Sequence, residues 1–201
     1  MNELQKKPEI VVFAGPNGSG KSTFTEVLRP LMDYINADEI KKNLKCNDRE
    51  AAEIAEKQRE DHLANKENFC FETVMSTDRN LKLLQRAKEA GYFIRCYYVL
   101  TVDPMINIYR VKARVAAGGH SVPEEKISTR FYRAMDLVAE VVKVCDICHI
   151  YDNSEETAFR IFKKRKDLCY YDECSDWHLE DIQHLTGVYD LEHKDLNPVK
   201  E

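Results

Sequence analysis

Apolar residues in this chain fall in short blocks separated by longer stretches with helical spacing. The run Ile10-Val11-Val12-Phe13-Ala14 is continuous and largely β-branched, the pattern of a strand buried on both faces. Similar blocks lie at residues 34–36, 68–74, 92–102 and 147–151. Between them the spacing predicts helices: one beginning near residue 23 and stopped by Pro30, and one over 48–66 with Ala52, Ile54 and Ala55 on a common side. A third is capped by Asp78, carries Leu81, Leu84 and Ala87 and stops at Gly91. Asp103-Pro104 opens the next, with Asp as cap and Pro at the first helical position, and Gly118-Gly119 ends it. A capping box from Ser121 to Glu124 starts another, whose face Ile127, Phe131, Val138, Val142 keeps helical spacing. Strands alternating with helices predict an α/β three-layer sandwich around a five-stranded, mainly parallel sheet, with the ligand site at the carboxyl ends of the strands. The expected division is one domain over 1–165, with a helical lid over about 104–142, followed by a helical extension (177–187) and loose tail within 166–201.

Composition changes this picture little. At 201 residues and 43% hydrophobic, the chain can bury one ordinary core. A net charge of −5 argues against a broad nucleic-acid face, leaving only a local basic patch around Arg110, Lys112 and Arg114. No apolar run approaches the roughly 18 residues that suggest a membrane helix, and the polar N-terminus lacks the core of an export signal, so the cytoplasm is the expected location. The 7 cysteines are then expected as thiols. Cys145 to His149 matches the C-x-x-C-H pattern of haem attachment, but the same segment reads as a strand. Cys169, Cys174, His178 and His184 fit no structural zinc spacing.

Candidate chemistry concentrates behind the first strand. Gly15, Pro16, Asn17, Gly18, Ser19, Gly20, Lys21 and Ser22, followed by Thr23, form a complete G-x-x-x-x-G-K-S phosphate-binding loop between a strand and a helix. Its glycines let backbone N–H groups turn inward around an anion, and the helix adds its positive end. Lys21 is expected on the β- and γ-phosphates of ATP and Ser22 on Mg²⁺. The chain lacks the strand ending in two acids that a motor ATPase uses, the signature of transporter ATPases and the guanine box of GTPases. A small-molecule kinase remains. Such an enzyme needs a carboxylate near the acceptor hydroxyl. Asp38, just past the second strand, is the candidate base, with helix capping as its alternative, and Glu39 is expected to turn away. Glu72, ending the third strand, could hold Mg²⁺ or grip the acceptor, with Thr73 beside it. Arg110 and Arg114 share a helical face, and Arg130 and Arg133 lie on the next helix across the Gly118-Gly119-His120 turn, as a closing lid requires. The alternative is a solvated basic face.

These motifs, together with Asn36-Ala37-Asp38, Phe71-Glu72-Thr73, the Arg110/Arg114 helix, residues 118–123 and Tyr151-Asp152-Asn153-Ser154, resemble the zeta-toxin-like kinases, in order, from about residue 9 to 155. The resemblance implies a P-loop kinase fold and ATP-dependent phosphoryl transfer to a hydroxyl, which in the family's toxins belongs to a UDP-N-acetyl sugar. It also implies an antitoxin as a candidate partner. It makes Asp38 the base, Lys21 the phosphate lysine, Glu72-Thr73 the acceptor strand and Arg114 the arginine on the transferred phosphate. Where larger members carry a second arginine this chain has Gly119 and His120. His120 is then a candidate acceptor contact with Arg110, and Arg130 a replacement for the missing charge. The insertions that build the sugar-nucleotide pocket of larger members are absent. Other acceptors, such as a nucleoside or a sugar acid, and a nucleotide switch without acceptor are the rival readings.

Overall fold

The computed structural model describes residues 7–119 and 121–198. In chain order the elements are β1 (Glu9–Ala14), α1 (Lys21–Leu28), β2 (Asp33–Ile35), α2 (Ala37–Leu44), α3 (Asp48–Asn65), β3 (Phe69–Thr73), α4 (Asp78–Glu89) and β4 (Phe93–Leu100). Then follow α5 (Pro104–Ala116), α6 (Glu124–Asp136), α7 (Val138–Val144), β5 (Ile147–Asp152), β6 (Phe159–Arg165), β7 (Leu168–Tyr171), α8 (Leu179–Thr186) and β8 (Glu192–His193). One sheet runs β2-β3-β1-β4-β5-β6-β7-β8. Its first five strands are parallel, β6 and β7 are antiparallel additions, and β8 runs parallel to β7. The parallel part is the expected five-stranded sheet, and the full sheet has three strands more.

Alternation along each strand sorts the side chains to two faces. Ile10, Val12, Ala14, Phe69, Phe71, Ile94, Tyr98, Leu100 and Ile150 join the main core, covered by Ala55 of α3, Leu81, Leu84 and Ala87 of α4, Val138, Val141 and Val142 of α7 and Ile182 of α8. The opposite face is thinner. Val11, Phe13 and Cys70 pack there against Phe24 of α1, Met32, Tyr34 and Tyr97. On that side His149 stacks on Tyr97 at 5.3 Å; burial, with Arg160, Lys163 and Arg95 adding to it, lowers its pKa to about 4. His149 and Cys148 thus point to opposite faces of β5, which rules out the haem reading of that segment.

Several expected local features differ. Ala51 and Ala55, rather than Ala52, form the buried side of α3. The helix after Ser121 is capped at Pro123 without a side-chain bond and breaks at Leu137 into α6 and α7. The short helix expected over 177–187 is α8, but the rest of the C-terminal segment was expected to be loose. Instead β7 and β8 extend the sheet, and Asp172 holds the tail by accepting from Leu196 N at 2.9 Å and Asn197 Nδ2 at 3.0 Å. No described helix is long and apolar enough to cross a membrane.

Candidate active site

The loop after β1 sits where the chain switches sides of the sheet: β1 pairs with both β3 and β4, so the connection between those strands crosses over it. Such a point opens a crevice at the strand ends. Gly18 and Gly20 hold φ of 80° and 95°, the left-handed region open to glycine. Neither has room for a side chain. A Cβ on Gly18 would stand 2.6 Å from the Asn107 carbonyl oxygen, and one on Gly20 2.3 Å from Asn153 Nδ2. Those two asparagines are the braces of the loop. Asn107 Nδ2 donates to Asn17 O at 2.7 Å, while its Oδ1 accepts from Thr101 Oγ1. Asn153 Nδ2 donates to Ser19 O at 2.8 Å.

Lys21 begins α1, is buried, and folds back so that Nζ donates to Pro16 O at 2.8 Å. Burial lowers its pKa to about 8; Glu72 opposes this, Arg114 adds to it and Asp38 opposes it more weakly. Lys21 thus feels the charges of three other residues singled out from the sequence. Glu72 Oε1 accepts from Ser22 Oγ at 3.4 Å, and Oε2 accepts from Thr25 Oγ1 at 3.2 Å and Tyr34 OH at 3.3 Å. Burial, with Glu72 contributing, pushes the Tyr34 hydroxyl well above its usual range. Ser22 and Glu72 offer hard oxygen donors of the kind Mg²⁺ takes. The positive φ of Gly18 and Gly20 gives the loop backbone the kind of turns that phosphate-binding nests use.

Beside this lies a cavity of about 730 Å³, lined by Ser22, Thr25, Tyr34, Asp38 and Glu72 together with Glu26, Arg29, Asn36, Glu39, Lys41, Lys42, Lys45 and Cys46. The capping role considered for Asp38 belongs to Asn36, whose Oδ1 accepts from Asp38 N at 2.8 Å and Glu39 N at 3.3 Å. Asp38 is one residue into α2 and lines the cavity. Glu39, expected to turn away, lines it too. Charges on α2 are segregated, with Asp38 and Glu39 in the first turn and Lys41 and Lys42 in the last.

The two arginine-bearing helices share a small apolar contact of their own, Ile108, Val111 and Ile127 with Val122, tied by Lys112–Glu124 at 2.8 Å. Arg130 Nη1 reaches Asn17 Oδ1 at 3.4 Å. Arg133 is exposed. Arg110 is held elsewhere: it donates to Asn153 O at 2.6 Å and Ser154 O at 3.1 Å. Thr73 also misses the cavity. Its Oγ1 accepts from Met75 N at 3.0 Å and Asn80 Nδ2 at 2.9 Å, shaping the turn into α4. His120 lies outside the described residues. Sequence reasoning missed Thr25, Tyr34, Asn107 and Asn153. Of these, only Asn153 stood in a motif that drew attention.

A zeta toxin family model matches residues 28–167, beginning past the phosphate loop, so loop and family match are independent observations. An uncharacterised protein of Haemophilus influenzae is 28% identical over 129 residues, 61% of this chain and 92% of its own. Among solved structures, one from the PezAT chromosomal toxin–antitoxin system of Streptococcus pneumoniae superposes with a TM-score of 0.56 at 13% identity, over 81% of this chain and 73% of that one. AvrRxo1-ORF1:-ORF2 with ATP superposes with a TM-score of 0.67 at 13% identity, over 90% of this chain and 63% of that one. Those likenesses extend the P-loop fold over nearly the whole chain. With more than half of its residues under the family model, and with the nucleotide loop intact ahead of the match, the chain belongs to the zeta toxin family of P-loop kinases.

Proposed function

We propose that this protein transfers the γ-phosphoryl group of ATP to a hydroxyl of a small acceptor seated in the 730 Å³ cavity. The observation that carries the reading is that Ser22 of the phosphate loop, Glu72 bonded to it and Asp38 line one cavity. Lys21, turning from Pro16 O, would meet the β- and γ-phosphates. Ser22 and Glu72 would hold Mg²⁺, whose charge would offset that of the phosphates. Asp38 would orient the acceptor hydroxyl and take its proton. Arg114 and Arg130 would meet the charge that spreads over the equatorial oxygens as the group transfers.

Charge placement is compatible with the acceptor that the family resemblance implies. Asp38 and Glu72 stand near the phosphate loop, whereas Lys41, Lys42 and Lys45 come from the last turn and cap of α2. An acceptor with its hydroxyl at one end and an anionic group at the other fits that dipole, and a UDP-N-acetyl sugar is such a molecule. An antitoxin is the proposed protein partner, by likeness to the PezAT system. Purified protein with Mg²⁺ and ATP should release ADP faster when UDP-N-acetylglucosamine is added, and labelled phosphate should move to the sugar. Transfer to a nucleoside or sugar acid instead would keep the kinase and replace the acceptor. ADP release indifferent to every acceptor would make the protein a nucleotide-dependent switch.

A further inference from the structure

Away from the cleft, three cysteines meet inside the main core. Cys96 on β4, Cys145 at the end of α7 and Cys148 on β5 bring their sulfurs within 4.8 Å of one another, with residue exposures of 0, 2 and 0%. The topology makes the meeting unavoidable. Cys96 and Cys148 are register partners on adjacent parallel strands, so they share a face. Cys145 closes α7, its N–H still bonded to Val141 O at 3.2 Å, and the chain turns at once into β5, which holds the third sulfur over the pair. Among the described residues this is the one group of three metal-capable side chains.

A buried cysteine alone behaves as a small apolar side chain, but three sulfurs converging are also a soft ligand set. The spacing suits this use. Two sulfurs bound to one zinc ion at about 2.3 Å each stand roughly 3.8 Å apart in tetrahedral geometry, so closing from the observed limit needs about 1 Å of side-chain movement. A positive charge is nearby as well. Lys164 Nζ donates to Val142 O at 2.7 Å and Lys143 O at 3.3 Å at the end of α7.

We propose that Cys96, Cys145 and Cys148 form a trithiolate site for a thiophilic closed-shell cation, of the Zn²⁺ or Cu⁺ type. Binding replaces three S–H bonds by three metal–sulfur bonds and releases three protons to solvent, with no change of oxidation state. For Zn²⁺ the loaded site carries one net negative charge, which Lys164 offsets. The ion would staple β4, β5 and the end of α7 directly beneath the strand that delivers Asn153 to the phosphate loop. This inference stands independently of the acceptor and of the kinase reading.

The test loads the reduced full chain with Zn²⁺, and in a separate anaerobic arm with Cu⁺. X-ray absorption at the metal edge should find three sulfur scatterers around about one ion per chain, with proton release on loading and a raised Tm. Cys145→Ala and Cys148→Ala should lose the ion, whereas the Cys169→Ala/Cys174→Ala double variant should keep it. A first shell of nitrogen and oxygen in the wild-type protein, or no retained ion in either arm, overturns the proposal. So does an ion lost with Cys169 and Cys174 instead. Because the absorption measurement uses the unaltered chain, a core variant that fails to fold leaves the proposal testable.

Discussion

The two ends of the cleft are built on opposite principles. At the nucleotide end the phosphate loop is locked from outside: Asn107 holds Asn17, Asn153 holds Ser19, and Arg110 in turn holds the carbonyls of Asn153 and Ser154. Gly18 and Gly20 fit against those braces with no space left over. At the end proposed for the acceptor the wall is α2, a helix with no fully buried residue, which presents long flexible side chains. Lys41 is drawn aside to Asp48 at 2.7 Å, and Arg29 lies over the Tyr34 ring at 4.7 Å. Preorganised charge is what accelerates phosphoryl transfer, so rigidity belongs where the chemistry is shared by every substrate. A wall that sets only the half-buried Ala37 and Ile40 against the core could vary its other side chains at little cost to the fold.

The hardest test of that contrast is Lys21→Ala. It would remove the charge proposed to meet the transferring phosphates at the rigid end, and should lower kcat/KM by about a thousandfold or more. Turnover within threefold of wild type would remove Lys21 from the mechanism. Asp38→Asn comes next. Capping belongs to Asn36, so α2 should stay folded and ATP affinity should hold, while transfer falls by roughly a hundredfold. A thermal melt beside the kinetics separates this outcome from simple unfolding.

The lid arginines sharpen the comparison further, because they divide between the two kinds of role. Arg114→Ala should cut kcat by about a hundredfold with ATP binding little changed, as transition-state contacts do. Arg110→Ala leaves two carbonyls without their donor and should instead destabilise the chain by about 1–3 kcal/mol, seen as a lower Tm and weaker ATP binding. If the two variants behave alike, the division is wrong. At the soft end, Lys42→Ala/Lys45→Ala should raise the acceptor KM by about tenfold, with the ATP dissociation constant unmoved. An equal shift in both would mean that these lysines face the nucleotide.

The same contrast explains what could be read from the residue order. The phosphate loop was legible because backbone geometry and charge are encoded within eight consecutive residues, and the parallel strands because continuous apolar runs have few other uses. Asn107 and Asn153 were not, since each acts on a partner 90 or 134 residues away. Strands β6 to β8 escaped for a different reason. In the segment Phe159–Arg165 only two positions are buried, and its outward basic residues hide the alternation. Arg110 and Arg114 share one helical face; the resemblance set Arg114 on the phosphate and Arg110 on the acceptor, whereas Arg110 in fact holds the loop after β5. Asp38 was ambiguous between cap and base, and the capping bonds made by Asn36 remove the first of those readings.

The smallest expected effect probes the rigid end by proton linkage. With its pKa lowered to about 8 by burial, Lys21 is charged in the free protein at neutral pH and loses its proton above pH 8. The phosphates of ATP favour the charged form, so binding above that pH must take up a proton. Affinity should therefore be flat below about pH 7 and weaken by roughly threefold between pH 7.5 and 8.5, as one such titration dictates. The sign for stability is the reverse. Between pH 8 and the ordinary lysine range near 10.5 the unfolded chain binds the extra proton, so the nucleotide-free protein should gain stability as pH rises through that window. Lys21→Met, which carries no titrating group, should show neither slope. Calorimetric ATP titrations in buffers of different ionisation enthalpy read the proton uptake directly. Zero uptake at pH 8.5 would mean that Lys21 stays fully charged, and that the pocket around it is wetter than its burial implies.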